Sequence, residues 1–443
     1  MTAAQTLADF GASLNGQTLS PDVIHHAKRA VVDWYAALLP GAVEAPSTLL
    51  ETALSEDLDR GGARLALGRR ATSRTAALIN ATAAHTVEVD DIFREAIYHP
   101  GAPTIAAALA QGQVTDASGL SFLKSVVAGY EISTRIGVAM GRSHYRYWHN
   151  TGTIGTFGAA AAAASLLNLD RLRYAHALCT AATFAAGLQQ AFRMDSMSKP
   201  LHAGHAAEAG LLAAQSAAAG VTGSLDVIDG DAGIGRAMSN GPDWVKALDT
   251  LGVDFHVTRM TFKNHACCGH TFAPIDGALA LQAQLGITAA EIKQIKIATY
   301  SPALEVAGNF NPTTAAEARF SVPFVVATAL LYGSVRLAAF TSQRLKDPKI
   351  RELMARIELS VDPELDAAFP GKRAARITLE TYDGQKSDFF QPTRKGDPEH
   401  PLSDTELSDK FLELVQPVLG DSKAQSLLQR LWTLESAENL QLG

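Results

Sequence analysis

The chain has 443 residues, of which 47% are hydrophobic and 19% charged, and its formal net charge is −7. This length is too great for a single compact core and predicts two domains, or one domain with a large insertion. The acidic balance argues against a nucleic-acid partner, which usually requires a basic surface. An acidic protein that binds an anionic ligand must concentrate positive charge at one place.

Targeting and redox features favour a cytoplasmic protein. Residues 1–17 contain no basic segment followed by an apolar run, so we predict no signal peptide. The longest apolar run, 155–167, is dominated by alanine and is too short for a membrane span, so no membrane partner is expected. The cysteines, Cys179, Cys267 and Cys268, predict no disulfide framework and lack the spacing of an iron–sulfur site.

The first part of the chain, residues 1–258, is predicted to be helix after helix. Alanine and glycine are abundant there, which lets helices approach closely. Together with the helical segment at 400–443, this part is expected to form a large all-helical domain. Apolar residues recur at helical spacing in the four longest segments, 21–41, 73–93, 119–141 and 170–192.

The pattern changes in residues 259–399, which are expected to form a smaller α+β lid domain. The fold class is therefore mainly α, with one domain that mixes helices and strands. Asp383-Gly384 is a turn signal at the end of the last predicted strand. The strands are predicted at 295–300, 357–361 and 375–382, and helices at 271–284 and 321–333.

Three basic residues, His99, His149 and Lys199, each stand directly before a predicted helix that starts with small residues. A helix N-terminus offers free backbone N–H groups and the positive end of the helix dipole. Such a terminus is a ready anion site. The repeated arrangement predicts a pocket for a small molecule with several negative charges, and small polycarboxylates fit that description.

An acidic segment precedes the first of these helices. If residues 85–101 were helical, His85, Glu88, Asp91 and Glu95 would share one face at spacings of three and four. Clustered carboxylates of this kind either face water or bind something. The pattern alone leaves both interpretations open.

The segment 143–152 is rich in side chains with polar tips. Tyr147 and Trp148 are expected to be structural anchors, as aromatic clusters usually are. Tyr145 and His149 are the stronger catalytic candidates, because Tyr145 can donate a proton and His149 stands at a helix start.

Lys199 is the residue that we expect to act as the general base. It precedes Pro200 and is therefore predicted to be non-helical. The helix dipole and neighbouring bases are expected to favour its neutral amine. The alternative is an ordinary surface lysine. His202 and His205, one turn apart, form only a weak metal-site signal, and we predict no metal.

The segment 262–276 surrounds the paired cysteines with Lys263 and His270. Adjacent cysteines do not supply two tetrahedral zinc ligands easily. A buried, unreactive thiol is the more common role, and a reactive thiol is the alternative. Because the segment lies at the predicted domain junction, Lys263 and His270 are expected to reach the pocket from the lid side.

The motifs resemble those of the MmgE/PrpD family, which includes 2-methylcitrate dehydratase, cis-aconitate decarboxylase and iminodisuccinate epimerase. The resemblance implies an active site between a helical domain and a lid, a homodimer, and no metal or organic cofactor. The matching segments run in family order along nearly the whole chain: NATAAHTVEVDDIFREAIYHPG, GYEISTRIG, WHNTGTIGTFGAAAAAASLLNLD, SKPLHAGHAAEAGLLAA, KNHACCGHTFAPIDGAL, ARFSVPFVVATALL and GDPEHPLSDTELSDKF.

By motif position, the resemblance places active-site residues at Glu88, His99, His149, Lys199, Lys263 and His270, with Tyr145 as in the epimerase-like members. We expect catalytic roles for Lys199, Tyr145, His149 and His99. Substrate-binding roles are expected for a second set, Glu88, Asp91, Lys263, His270 and Ser198.

Two positions depart from the family pattern. Glu88 stands where the family's D-x-D-D motif begins with aspartate, which keeps the charge on a longer side chain. Phe324 stands where the decarboxylase-type members carry tyrosine, which removes a hydroxyl donor and makes cis-aconitate decarboxylation less favoured.

The expected function is a cofactor-independent lyase that abstracts a proton α to a carboxylate of a small di- or tricarboxylate, most closely a 2-methylcitrate-dehydratase-like hydro-lyase. Two alternatives stay open. One is an epimerase of an iminodisuccinate-like dicarboxylate, and the other is a catalytically silent dimer that binds a carboxylate.

Overall fold

The computed structural model describes residues 1–192, 196–369 and 371–441. Packing divides the chain into two units, which are described separately. Unit 1 comprises Met1–Phe262 and Ser403–Gly443, and unit 2 comprises Lys263–Leu402. The boundaries expected from sequence, 258/259 and 399/400, fall a few residues earlier. The mainly α fold class is confirmed.

The first stretch of unit 1 is built from helices joined by short connections. Serine, threonine or aspartate side chains cap the start of several of them, including Ser20, Ser118 and Asp170. The helices are α1 (Ala3–Leu14), α2 (Pro21–Ala42), α3 (Ser47–Ala53), α4 (Ser73–Thr86), α5 (Gly101–Val114), α6 (Gly119–Tyr145), α7 (Asn150–Leu166), α8 (Arg171–Phe184), α9 (Ser198–Ala218), α10 (Ile234–Met238) and α11 (Trp244–Leu248).

Helix α7 is the centre of unit 1, and every residue of it is buried. Its partners α5, α6, α8 and α9 surround it. The run Ala159 to Ala164 has no side chain longer than a methyl group, so neighbouring backbones approach it closely. Gly210 of α9 shows how close: a methyl group there would lie 2.4 Å from the carbonyl oxygen of Thr156.

The expectation of an all-helical first domain was wrong in one detail. Leu58–Arg64 (β1) and Arg70–Ala71 (β2) form a small antiparallel sheet. The alternation that predicts a strand is missing in β1, because its middle residues are all exposed.

Unit 2 contains a four-stranded sheet in the order β4-β3-β5-β6. Strands β3 and β4 are parallel, with Ile295 opposite Ile357, and β5 is antiparallel to β3 and to β6. Buried residues alternate along β5, which is why its sequence predicted a strand. The strands are β3 (Ile292–Thr299), β4 (Ile357–Val361), β5 (Ala375–Thr381) and β6 (Lys386–Gln391).

Two helices pack in unit 2 where the sequence predicted them. Helix α12 packs against β5, β6 and α15. The helices of unit 2 are α12 (Phe272–Leu285), α13 (Ser301–Ala307), α14 (Ala315–Ala318), α15 (Val322–Tyr332), α16 (Ser342–Leu345), α17 (Pro348–Met354) and α18 (Pro363–Ala368).

The chain ends with α19 (Asp404–Leu419) and α20 (Asp421–Trp432), which return to unit 1 and pack on α2. A capping box at Ser403 starts α19, as its sequence S-x-x-E predicts. Across the described ranges, no helix combines the length and apolar character needed to cross a membrane.

Candidate active site

The N-termini of α5, α7 and α9 lie together, because these three helices pack on one another. Gly155 in the first turns of α7 fits only because it lacks a side chain. A methyl group there would lie 2.6 Å from Pro103 of α5 and 3.4 Å from Ala206 of α9. Three positive dipole ends therefore converge in unit 1, which is the basis of the predicted anion site.

The basic residues of the three predicted helix starts occupy this region. His99 lies just before α5, and His149 is the N-cap residue of α7. Lys199 differs from the prediction, because it is the second residue of α9 and is helical. Proline at the third helical position is tolerated since its missing N–H would have no helical partner there, so Pro200 does not end the helix before it.

A buried carboxylate, Asp90, lies between two histidines. Its Oδ2 is 2.7 Å from Nδ1 of His85 and 3.2 Å from Nδ1 of His99. The two imidazole rings meet edge to face with centroids 4.9 Å apart. Asp90 is 1% exposed, whereas the His99 side chain keeps 14% of its surface accessible. His99 is therefore the member of this group that a ligand can reach.

The charge state of Asp90 follows from its neighbours. Burial alone would raise its pKa, but the charges and hydrogen bonds of His99 and His85 outweigh burial and hold the pKa well below the ordinary value. An ionised Asp90 favours the ring proton of His99 at Nδ1, which leaves Nε2 as the basic nitrogen. His85 Nε2 is buried and has no hydrogen-bond partner among the described residues.

A second histidine pair adjoins the first. The Nδ1 atoms of His149 and His202 lie 3.0 Å apart, and the ring of His149 stacks on His85 with centroids 5.5 Å apart. Burial, followed by the electrostatic effect of His85 and Lys199, holds the pKa of His149 well below its usual value. Burial, His85, His205 and Lys199 lower the pKa of His202 to about 4. Both rings are neutral at neutral pH, and each has a single N–H. One ring uses its N–H in the contact between the two Nδ1 atoms, so the other ring keeps its N–H for a ligand.

The Lys199 ammonium contacts the Glu88 carboxylate, and the two residues are 111 positions apart in the sequence. A carboxylate in direct contact stabilises the ammonium form of lysine. This contact runs against the expected neutral amine, and the catalytic role of Lys199 stays a prediction. The pair is partly exposed, so it can meet a ligand while it holds a proton ready to give.

The predicted helix over residues 85–101 does not form, because α4 ends at Thr86. Glu88 adopts a left-handed backbone conformation with φ of 61°, which a helix cannot contain. Beyond it the chain is irregular, and neighbouring side chains point to different sides. Glu88 consequently faces Lys199, while the exposed Glu95 pairs with Arg259 at 3.6 Å.

Asp91 was expected to bind substrate, but the structure gives it a structural position. Its Oδ2 accepts the hydroxyl of Tyr130 at 2.7 Å, and its Oδ1 accepts the N–H of Gly101 at the start of α5 at 3.0 Å. Burial, with the Asp33 and Asp90 carboxylates, raises the pKa of Asp91 well above the ordinary value. Asp91 is thus a buried support for Tyr130 and the start of α5, and its neighbour Asp90 is the carboxylate that contacts the histidines.

Two other candidates stay as predictions. Tyr145 is the last residue of α6, half-buried, and its carbonyl accepts the side chain of Gln189 at 2.9 Å. Ser198 is the exposed first residue of α9, directly before Lys199. Their positions next to His149 and Lys199 in the chain agree with roles at the site, and no contact tests those roles.

Unit 2 holds the last two candidates. Lys263 is buried with 5% of its surface exposed. His270 is partly buried, and its Nδ1 lies 2.9 Å from the hydroxyl of Tyr300. Cys267 is buried against Thr271, and burial raises the pKa of its thiol, which fits the unreactive role.

Asp90 was not among the residues predicted from sequence, and His85 and His202 were named without a role in proton transfer or carboxylate binding. Asp90 was passed over because the helical spacing selected Asp91 instead. His85, Asp90 and His99 bring ligand-type atoms within 4.8 Å of one another, the spacing of a possible metal group. Asp90 is hydrogen-bonded to His85 and lies at ion-pair distance from His99, and Lys199 and His149 add positive charge or dipole beside them. This donor set fits proton transfer better than cation binding.

Comparisons with known proteins agree with the motifs. The chain is 27% identical to a cis-aconitate decarboxylase-like protein of Aspergillus oryzae, an alignment that covers 98% of this chain and 95% of that protein. It is 27% identical to cis-aconitate decarboxylase of Mus musculus over 82% of this chain and 76% of the relative. A shorter match, 29% identical over 26% of each chain, is to 2-methylcitrate dehydratase of Salmonella typhimurium.

These relatives carry the names of lyases, a decarboxylase and a dehydratase, and they give the epimerase alternative no support. Residues 5–247 match the MmgE/PrpD N-terminal domain, and residues 265–434 match the MmgE/PrpD C-terminal domain. The chain belongs to the MmgE/PrpD family.

Proposed function

We propose that this protein is a lyase that removes a proton from a carbon α to a carboxylate of a small tricarboxylate and then expels a β-hydroxyl as water. The observation that carries the proposal is the accessible His99 with the ionised, buried Asp90 behind it. This arrangement makes a general base and fixes its orientation. The dehydratase and decarboxylase relatives support chemistry at such a carbon.

The first step breaks the C–H bond. His99 Nε2 takes the proton, and the electron pair moves into the adjacent carboxylate to form an enediolate. A positioned base contributes roughly 10²–10⁴-fold, so the developing negative charge must also be stabilised. The converging N-termini of α5, α7 and α9 supply preorganised N–H groups and dipoles for that charge.

The second step breaks the C–O bond at the β carbon. The Lys199 ammonium gives a proton to the leaving hydroxyl, which departs as water, and the electron pair of the enediolate forms the alkene. Glu88 holds the ammonium in place through their ion pair. Lys199 is thus proposed as the acid, with His99 as the base.

The neutral His149–His202 pair is proposed to bind a carboxylate oxygen. The ring that accepts at Nδ1 donates its Nε2 hydrogen to that oxygen. The lowered pKa values keep both rings uncharged, so the pair does not compete for the abstracted proton. Tyr145 and Ser198 are proposed as further donors at the ends of α6 and α9. We also propose that the protein is a homodimer, which light scattering on the eluted protein would test.

A second candidate function is decarboxylation of the same class of substrate. Here a proton is added to an alkene carbon and a C–C bond to a carboxylate breaks, releasing CO₂. The relatives aligned over most of the chain are named for this reaction, which favours it. Phe324 argues against it, because the side chain is fully buried and carries no hydroxyl.

Proton NMR in D₂O tests both candidates with 2-methylcitrate, citrate and cis-aconitate. Loss of the α-proton signal with a new alkene signal from a hydroxy acid is the expected result. Release of CO₂ from cis-aconitate with no reaction of the hydroxy acids would establish the decarboxylase instead. Exchange without an alkene would indicate the epimerase, and ligand-induced thermal stabilisation with no turnover would indicate a binding protein.

A further inference from the structure

A second cluster of cationic side chains lies within unit 2. We call His270, Tyr300, Arg373 and Arg394 the arginine cluster. Both guanidinium groups approach the same glycine: a methyl group on Gly269 would lie 3.0 Å from Nη1 of Arg394 and 3.9 Å from Nη1 of Arg373. Neither arginine belongs to a motif that predicts a site.

The two arginines differ in how their charge is balanced. Arg394 makes two hydrogen bonds of 2.9 Å to the Asp397 carboxylate, and it is buried. Arg373 has no carboxylate within ion-pair distance among the residues that the structure describes, and Arg394 beside it adds a like charge. Its guanidinium carbon instead lies 6.0 Å from the centre of the Phe369 ring. Arg373 is partly buried, and one carboxylate, Asp397, acts on two guanidinium groups, so the cluster favours an added anion.

The other members provide hydrogen-bond donors. The Tyr300 hydroxyl lies 2.9 Å from Nδ1 of His270. Burial, Arg373 and Arg394 lower the pKa of His270 to about 4, and burial raises the pKa of Tyr300 to about 12, so both groups are neutral near pH 7. When Tyr300 donates to Nδ1, the ring keeps its hydrogen on Nε2 and can donate it to an anion.

We propose that Arg373 and His270 form a carboxylate-binding site in unit 2. The guanidinium supplies the charge and a planar pair of donors that match a carboxylate, and His270 supplies a further N–H. Arg394 with Asp397 supports the site without serving as its counter-ion. This site stands on the geometry of unit 2 alone, whether or not the proposed lyase activity is correct.

Cys268 is a reporter built into the site. It precedes Gly269 and is partly exposed, whereas Cys179 and Cys267 are buried. The test is the rate at which N-ethylmaleimide labels Cys268, followed by peptide mass spectrometry, with and without tricarballylate. This tricarboxylate has no hydroxyl to eliminate and therefore probes binding alone. We expect saturating tricarballylate to slow labelling several-fold in the wild-type protein.

Arg373→Gln is expected to abolish this protection, and Arg373→Lys to restore part of it. Lys372→Gln, an exposed neighbour, is the matched control and should keep full protection. If Arg373→Gln does not fold, His270→Gln provides the same test and should weaken protection. Protection that is unchanged in folded Arg373→Gln and His270→Gln proteins would overturn the proposal.

Steady-state kinetics identify the source of the carboxylate. Loss of a charged hydrogen bond should raise the KM of a substrate that uses the site by about 10–100-fold with little change in kcat. A KM that stays constant while protection is lost would support a site for a separate anion. A KM rise for tricarboxylates but not for dicarboxylates would support recognition of the third carboxylate.

Discussion

The two units hold cationic clusters that are built in different ways. In unit 1 the charges are matched: Asp90 stands between His85 and His99, Glu88 pairs with Lys199, and the other imidazoles are neutral. In unit 2 the Asp397 carboxylate is bound to Arg394, and among the residues that the structure describes no carboxylate lies within ion-pair distance of Arg373. A matched cluster with neutral rings suits proton transfer, because small changes move a proton between its groups. An unmatched arginine cannot release its proton and suits charge binding.

His99→Gln is expected to have the largest effect among the variants that test this difference between the two units. If His99 is the base, kcat should fall by about 10²–10⁴-fold while KM changes little. Arg373→Gln should instead raise KM with little change in kcat when a substrate carboxylate binds at the unit 2 site. His205→Gln is the matched control, since His205 is exposed on α9 one turn from His202. A His99→Gln protein that keeps its kcat would remove His99 from the chemistry.

A smaller effect is expected from the Lys199–Glu88 pair. Lys199→Met should lower kcat by about 10²-fold through loss of the acid. Glu88→Gln should lower it less, because the amine remains. The double variant should be no slower than Lys199→Met alone, since both changes act on one ion pair. Losses that multiply in the double variant would show that Glu88 and Lys199 act separately. Activity near that of the wild type in Lys199→Met would rule out Lys199 as the acid.

The neutral histidines predict the pH dependence of stability. His202 and His270 have a folded pKa of about 4 and His256 of about 3, all below the ordinary 6.5. Between pH 6.5 and 4 the unfolded chain therefore binds protons that the folded chain does not. The free energy of unfolding should be constant above pH 7 and fall as the pH is lowered, by about 1–2 kcal/mol per histidine at pH 5.

Urea unfolding at pH 7.5 and pH 5 measures this loss. His202→Gln should reduce the pH dependence, and the His205→Gln control should leave it unchanged. Equal stability at both pH values would mean that these rings are not held neutral by the fold.

Much of the site could be predicted from local sequence. The small residues after His99 and His149 indicate helix starts, and the alternation in residues 375–381 indicates a strand. These signals lie within one or two turns of chain. Helices α5, α7 and α9 then pack together because residues such as Gly155 let their backbones approach closely. The abundance of small residues predicts close packing but not which helices meet.

The remainder depended on where one helix ends. No glycine or proline lies within residues 87–95, so the sequence does not mark the end of the helix at Thr86. Helical spacing continued through these residues therefore selected Asp91 over Asp90. The contact of Lys199 with Glu88 joins distant parts of the chain, and no local sequence pattern predicts it. The local sequence does not mark Arg373 either, because the balance of charges around it is set by the folded unit.

The neighbouring Asp90 and Asp91 provide the most direct test of the central claim. Each is changed to asparagine, and the exchange of the substrate α-proton with D₂O is followed by NMR beside the thermal midpoint of each protein. Asp90 is ionised, so Asp90→Asn should slow exchange by about 10²–10⁴-fold while the protein stays folded.

Asp91 accepts hydrogen bonds from Tyr130 and Gly101 and supports the fold beside the cluster, so folded Asp91→Asn should exchange within a few-fold of the wild-type rate. That asymmetry is the result that the account predicts. Equal rates in the two folded variants, or a larger loss in Asp91→Asn, would contradict it.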